Sequence, residues 1–108
     1  QAWNIYALAR PIVSHFLGIQ PEAYRKYIKI APQLPSAWPE MSLEQLPIGE
    51  NIIEVFIQQN AYEVQQTENW NIEIVLPKGV STVTVNGVSQ DLDGNRLMLN
   101  DKVIKVAW

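Results

Sequence analysis

The chain has 108 residues, 47% of them hydrophobic, and a formal net charge of −3. That is enough apolar material for one packed domain and too much for a disordered chain. The acidic balance disfavours nucleic acid and anionic membranes as partners, because both demand basic surface, and the lack of cysteine removes disulfides, thiolate metal sites and cysteine nucleophiles.

The first predicted element is a long apolar helix, Ala2 to Leu17, whose polar residues are Asn4, Arg10, Ser14 and His15. At ~100° per residue these four span roughly 140° of arc and leave roughly 220° apolar, whereas a helix lying on one sheet needs a stripe of only ~100°. The helix therefore reads as one buried on several sides. Together with an opening residue, Gln1, that is not Met, it predicts a C-terminal piece of a larger protein that carries the last helix of a helical domain. Pro11 should kink that helix near Ala7 or divide it in two. Arg10, Pro11 and His15 interrupt the stretch, so it falls short of the ~20 apolar residues of a membrane span. Gly18 suits a left-handed helix end, with Pro21 just beyond.

Pro21 to Lys26 reads as a helical turn or a plain turn, and Tyr27 to Ile30 alternates like a first strand. The expected division is residues 1–26 as the terminal helix of a helical barrel and 27–108 as a β-sandwich. Ala31 to Glu40 holds Pro32, Pro35 and Pro39, which stiffen the backbone. Leu34, Trp38 and Met41 make it too apolar for a free linker.

From Ser42 onward the period is two. Ser42–Leu46 is a short strand closed by a turn at Pro47-Ile48-Gly49-Glu50. Asn51–Gln59 places Ile53, Val55 and Ile57 on one face. Tyr62–Gln66 follows a turn at Gln59-Asn60. Trp70, Ile72, Ile74 and Leu76 alternate with Asn71, Glu73 and Val75. Ser81–Val85 runs into Asn86-Gly87, a two-residue hairpin signal. Asp93-Gly94-Asn95 and Asn100-Asp101 mark further turns, and Lys102–Trp108 puts Ile104, Val106 and Trp108 on one side. The fold class is mainly β: an antiparallel β-sandwich of about eight short strands, preceded by the apolar helix.

The chemistry is sparse. None of the eleven carboxylates forms an evident acid–base pair. Glu22, Glu40, Glu44, Glu50 and Glu54 fall in turns or on polar strand faces. Asp91, Asp93 and Asp101 sit in turn contexts without the alternating ligands of a calcium loop. His15 is the only histidine, so a transition-metal site would need carboxylates alone. Ser14 beside it does not face it on a helix. The five glycines are scattered and build no phosphate loop. No catalytic residue, metal ligand or cofactor site is assigned. Of the four tryptophans, Trp70 and Trp108 continue apolar strand faces and read as core, Trp38 plugs the junction of helix and sheet, and Trp3 lies at the helix start, where the expected missing part joins, as the tryptophan expected to face a ligand site in the intact protein.

Several strings carry a family resemblance. Gln1-Ala2-Trp3 opens the apolar helix, and Leu17-Gly18-Ile19-Gln20-Pro21-Glu22-Ala23 ends it. Ile28-Lys29-Ile30-Ala31-Pro32-Gln33-Leu34-Pro35-Ser36-Ala37-Trp38 follows, then Leu43–Gly49, Trp70, Leu76-Pro77 and Val83–Gly87. The chain resembles the C-terminal end of six-hairpin, (α/α)6-barrel glycoside hydrolases, closest to the glycogen-debranching (amylo-α-1,6-glucosidase) type and next to α-L-rhamnosidase-like enzymes. Asn4 stands where those families commonly have Ser, and Pro11 is foreign to their pattern, so the resemblance reaches the group rather than one family.

The resemblance implies a parent enzyme with two catalytic carboxylates. Both would lie upstream of Gln1 and match no residue here. It places Gln1 and Trp3 near the sugar-binding end of the barrel, as residues close to substrate. It implies a non-catalytic sandwich that buries the last barrel helix, with the rest of the parent chain and an oligosaccharide or polysaccharide as partners, and neither nucleic acid nor membrane. A bacterial glycan-degrading parent would work in the periplasm or outside the cell. Two other classes remain open from the residues alone: a carbohydrate-binding module using exposed Trp side chains, and a protein–protein docking domain that uses the apolar helix.

Overall fold

The computed structural model describes residues 16–33, 40–92 and 94–108. Ten strands are present among them. The first five are β1 (Ile19–Glu22), β2 (Tyr27–Ile30), β3 (Glu40–Ile48), β4 (Asn51–Gln58) and β5 (Ala61–Gln66). The others are β6 (Asn71–Val75), β7 (Thr82–Val85), β8 (Val88–Asp91), β9 (Arg96–Leu99) and β10 (Val103–Ala107). They form a four-stranded sheet in the order β1-β2-β6-β9 and a six-stranded sheet in the order β3-β4-β5-β10-β7-β8.

The two sheets close on one core, because each strand's alternation sends one row inward. Ile28, Ile30, Ile72, Ile74 and Leu97 come from the smaller sheet. Ile53, Val55, Ile57, Val64, Val83, Val85, Ile104 and Val106 meet them from the larger. The mainly β sandwich read from the sequence is thus present, and the predicted inward rows of β4, β6 and β10 are the buried ones.

Four details depart from the sequence reading. Among the described residues there are ten strands, not about eight. Ile19–Glu22, assigned to the terminal-helix segment 1–26 and read from Pro21 on as a turn, is an edge strand paired antiparallel to β2, with a one-turn 3₁₀ helix (Ala23–Arg25) between them. This hairpin straddles the boundary between residues 26 and 27, at which the sequence reading began the sandwich. β3 runs on through Pro47 and Ile48, which the sequence put in a turn; an edge strand tolerates Pro because its missing N–H faces outward. Finally, β2 and β6 pair in parallel, so the sandwich is not wholly antiparallel. Between them the chain builds β3, β4 and β5 in the other sheet, and a strand that returns after such an excursion runs in the direction of the strand it left.

The expected apolar helix lies outside the described residues except for its last two, Phe16 and Leu17, which are helical. Leu17 is fully buried in the core. Gly18 then turns the chain at φ +62°, where a Cβ would run into the Ala31 carbonyl. The Ala31 N–H donates to Gly18 O at 3.2 Å, and the Gln33 N–H donates to Phe16 O at 2.6 Å. Residues 16–18 are therefore bonded to the strand end that leaves β2.

The passage from the larger sheet to the smaller is held by a buried polar hub. Asn51 is fully buried, and its Nδ2 donates to Gln66 Oε1 at 2.9 Å. Its Oδ1 accepts from the N–H groups of Thr67 (3.1 Å) and Glu68 (3.2 Å) and from the Thr67 hydroxyl (3.3 Å). Gln66 Nε2 donates to the carbonyls of Trp70 (3.1 Å) and Asp101 (3.0 Å), and the Trp70 N–H donates back to Gln66 Oε1 at 3.2 Å. Every buried polar atom of the hub is paired, as burial away from water requires.

Candidate functional site

The outer face of the smaller sheet brings polar and aromatic side chains from three strands together. Register places Lys29 of β2 opposite Glu73 of β6, and Glu73 opposite Met98 of β9. The Tyr27 hydroxyl donates to Glu73 Oε1 at 2.5 Å, and Arg96 Nε lies 3.7 Å from Glu73 Oε2. The Arg25 guanidinium sits 5.2 Å from the Tyr27 ring centroid, close enough for a cation–π contact, and also pairs with Glu22 at 2.5 Å.

The hydrogen bond to Glu73 pushes the Tyr27 pKa up to about 12, helped by desolvation and by the negative charges of Glu73 and Glu22, with Arg25 opposing. A phenol that holds its proton so tightly is neither a nucleophile nor a general base near neutrality. Glu73, with a hydroxyl on one oxygen and a guanidinium near the other, acts as a clamp across three strands. Burial alone raises the Tyr62 pKa, and its ring meets Trp108 edge to face at 4.8 Å.

Among the described residues the surface has shallow grooves, three of them with charged side chains in the lining. Two lie on the larger sheet. One, of about 270 Å³, is bordered by Gln45, Glu54, Gln65 and Lys102; the other, of about 290 Å³, by Phe56, Glu63, Thr84 and Lys105. Their carboxylates are engaged: Gln45 Nε2 donates to Glu54 at 2.7 Å, and Gln65 Nε2 donates to Glu63 at 2.6 Å. The third, of about 420 Å³, runs between β8 and β9 and is lined by Glu73, Gln90, Asp91, Arg96, Leu97 and Met98. No group of three or more His, Cys, Asp or Glu side chains able to hold a metal occurs among the described residues. No helix among them is long and apolar enough to cross a membrane.

The residues expected close to substrate, Gln1 and Trp3, lie outside the described residues, as do Trp38 and His15. Trp70 and Trp108 are where the sequence put them: Trp70 is buried, and Trp108 is half-buried against the core. Tyr24, at 84% exposure, is the one fully exposed large aromatic among the described residues. A sugar platform of coplanar aromatics is not assembled there. Sequence reasoning missed both the Tyr27–Glu73–Arg96 clamp and the β8–β9 groove. Tyr27 and Glu73 lie 46 residues apart and meet only because β2 and β6 are neighbours.

Comparison of the chain with protein-family models, curated proteins and solved structures returns no match.

Proposed function

We propose that this chain is a non-catalytic C-terminal β-sandwich of a larger glycoside hydrolase, which packs on the (α/α)6 barrel and covers its last helix. The observation that carries the reading is the junction at residues 16–18. The end of the apolar stretch is not tethered by a loose linker: Leu17 is buried in the sandwich core, and two backbone hydrogen bonds join Phe16 and Gly18 to the end of β2. A domain joined in this way transmits a fixed orientation to whatever helix precedes it. The engaged carboxylates of the described residues are in keeping with a structural role, and the glycosidase identity rests on the resemblance of the Gln1–Trp38 strings.

The test is an assay of the purified chain on aryl glycosides and α-1,6-branched oligosaccharides. The expected result is no turnover. Turnover that a single carboxylate-to-amide substitution abolishes would overturn the proposal, and saturable tryptophan quenching by one of these sugars would favour the carbohydrate-binding reading instead.

A further inference from the structure

Asn86-Gly87 is the chain's single Asn-Gly pair, and it forms the two-residue turn between β7 and β8. Asn-Gly is the dipeptide that loses its side-chain amide most readily, because a glycine nitrogen reaches the preceding carboxamide carbon with no side chain in the way. The turn is exposed, both residues hold positive φ (+49° and +87°), and open space surrounds Gly87. By exposure alone the pair should react freely.

The fold holds the carboxamide, however. Asn86 Nδ2 donates to Val103 O at 3.1 Å, and Oδ1 accepts the Lys105 N–H at 2.8 Å. The Asn86 N–H adds a third bond, to Lys105 O at 2.8 Å. β7 is in register with β10 at Val106 and Ala107, so these groups of Val103 and Lys105 lie past the end of that ladder. Asn86 covers them by itself. Its side chain continues the ladder, with Oδ1 in the place of a carbonyl and Nδ2 in the place of an N–H.

These bonds oppose the reaction. The Gly87 nitrogen must approach Asn86 Cγ from outside the carboxamide plane, and both ends of that plane are pinned to β10. The group that must leave, Nδ2, is itself a donor to Val103 O. The weak point is β8, an edge strand with all four residues exposed. Elements with so little buried contact open most often. Once β8 leaves β7, the turn is no longer held at positive φ, and the carboxamide can swing from β10 to the Gly87 nitrogen.

We infer that Asn86 is a deamidation site that the fold holds shut, and that it reacts through opening of the β7–β8 hairpin. The Gly87 nitrogen gives its proton to solvent base and bonds to Cγ. The Cγ–Nδ2 bond breaks, and the nitrogen takes up a proton from solvent and departs as ammonia, leaving a five-membered succinimide. One water then opens the ring, at Cγ to give aspartate or at the main-chain carbonyl to give isoaspartate. In sum, carboxamide and water become carboxylate and ammonium. Either product gives up the donor to Val103 O and sets a negative charge near it. Isoaspartate also adds a carbon to the main chain, which a two-residue turn does not accommodate. The inference does not depend on the barrel-packing role.

The experiment incubates the full chain at mildly alkaline pH and follows aspartate and isoaspartate at position 86 by peptide mapping and mass spectrometry. Unfolding in urea should speed the loss of the amide about tenfold or more. Below the unfolding transition the rate should hardly change with urea, because fraying of one edge strand exposes little surface. The Leu92 N–H donates to Ser81 O at 2.8 Å, so by antiparallel alternation the Gln90 N–H also faces β7. Gln90→Pro removes that donor at an exposed position and should raise the native rate about tenfold, with a thermal melt showing the chain still folded. Thr82→Ala, which removes one exposed bond to Asp91 at the far end of the hairpin (3.1 Å), should raise it less. Asn86→Asp should lower the urea midpoint and speed hydrogen exchange at Lys105. The inference is overturned by equal rates in the native and unfolded chains, by a native rate that climbs in step with global unfolding, or by variants that free the β8 amides to exchange without speeding deamidation.

Discussion

Replacing Asn51 with Ala tests whether the buried hub holds the crossover between the sheets. The substitution removes one donor, to Gln66, and one acceptor shared by the Thr67 N–H, the Glu68 N–H and the Thr67 hydroxyl. Gln66 Oε1 keeps the Trp70 N–H, so the main loss is the shared acceptor. A typical hydrogen bond contributes about 1 kcal/mol net, and a stranded buried group costs about 1–3 kcal/mol. Thr67 and Glu68 are exposed enough for water to reach their amides, which argues for the lower figure per bond. Three bonds at that figure sum to about 3 kcal/mol, a large share of the ~5–15 kcal/mol that holds a typical domain. For a chain of this size that corresponds to a fall in Tm of roughly 12 °C or more. Urea unfolding followed by far-UV circular dichroism measures it. Asn69→Ala is the control: it sits in the same loop, but its side chain makes one exposed bond, to Asn100 O at 3.0 Å, and its loss should cost about 1 kcal/mol or less. The double mutant with Gln66→Ala should show a coupling of about 1 kcal/mol. An Asn51→Ala cost near that of Asn69→Ala, with no coupling to Gln66, would refute the view that the hub acts as a unit.

Gly18→Ala should destabilise the chain by about 2–4 kcal/mol, from the left-handed backbone penalty and the loss of a backbone hydrogen bond. Gly79→Ala, at φ +93° with open space around it, should lose only the backbone part, so equal costs at the two positions would remove the steric argument at the junction. Alkaline pH gives another check. The Tyr27 pKa is raised in the folded state, from 10.0 to about 12, so the folded chain holds the proton more tightly than the unfolded chain. Its contribution is complete below pH 10 and is lost as pH climbs toward 12. Urea midpoints should therefore fall across that window, and Tyr27→Phe should flatten the fall.

The sequence by itself determined the class of structure and much of its inward face. Strict alternation in Asn51–Gln58, Asn71–Val75 and Val103–Ala107 is a local signal, and one row of each strand is buried as the pattern requires. Asn86-Gly87 made its hairpin for an equally local reason, since both residues adopt positive φ there. The tertiary structure alone decided which strand neighbours which, and in what direction. The parallel β2–β6 pair, the recruitment of Ile19–Glu22 as an edge despite Pro21, and the Tyr27–Glu73 clamp all depend on contacts between distant parts of the chain. The same holds for the β8–β9 groove. Val88 pairs with the buried Val85 across the Asn86-Gly87 turn, yet it is 68% exposed, and only the tertiary structure decides that. Periodicity fixes which face of a strand is greasy, whereas the presence of anything opposite that face is a property of the whole assembly of strands.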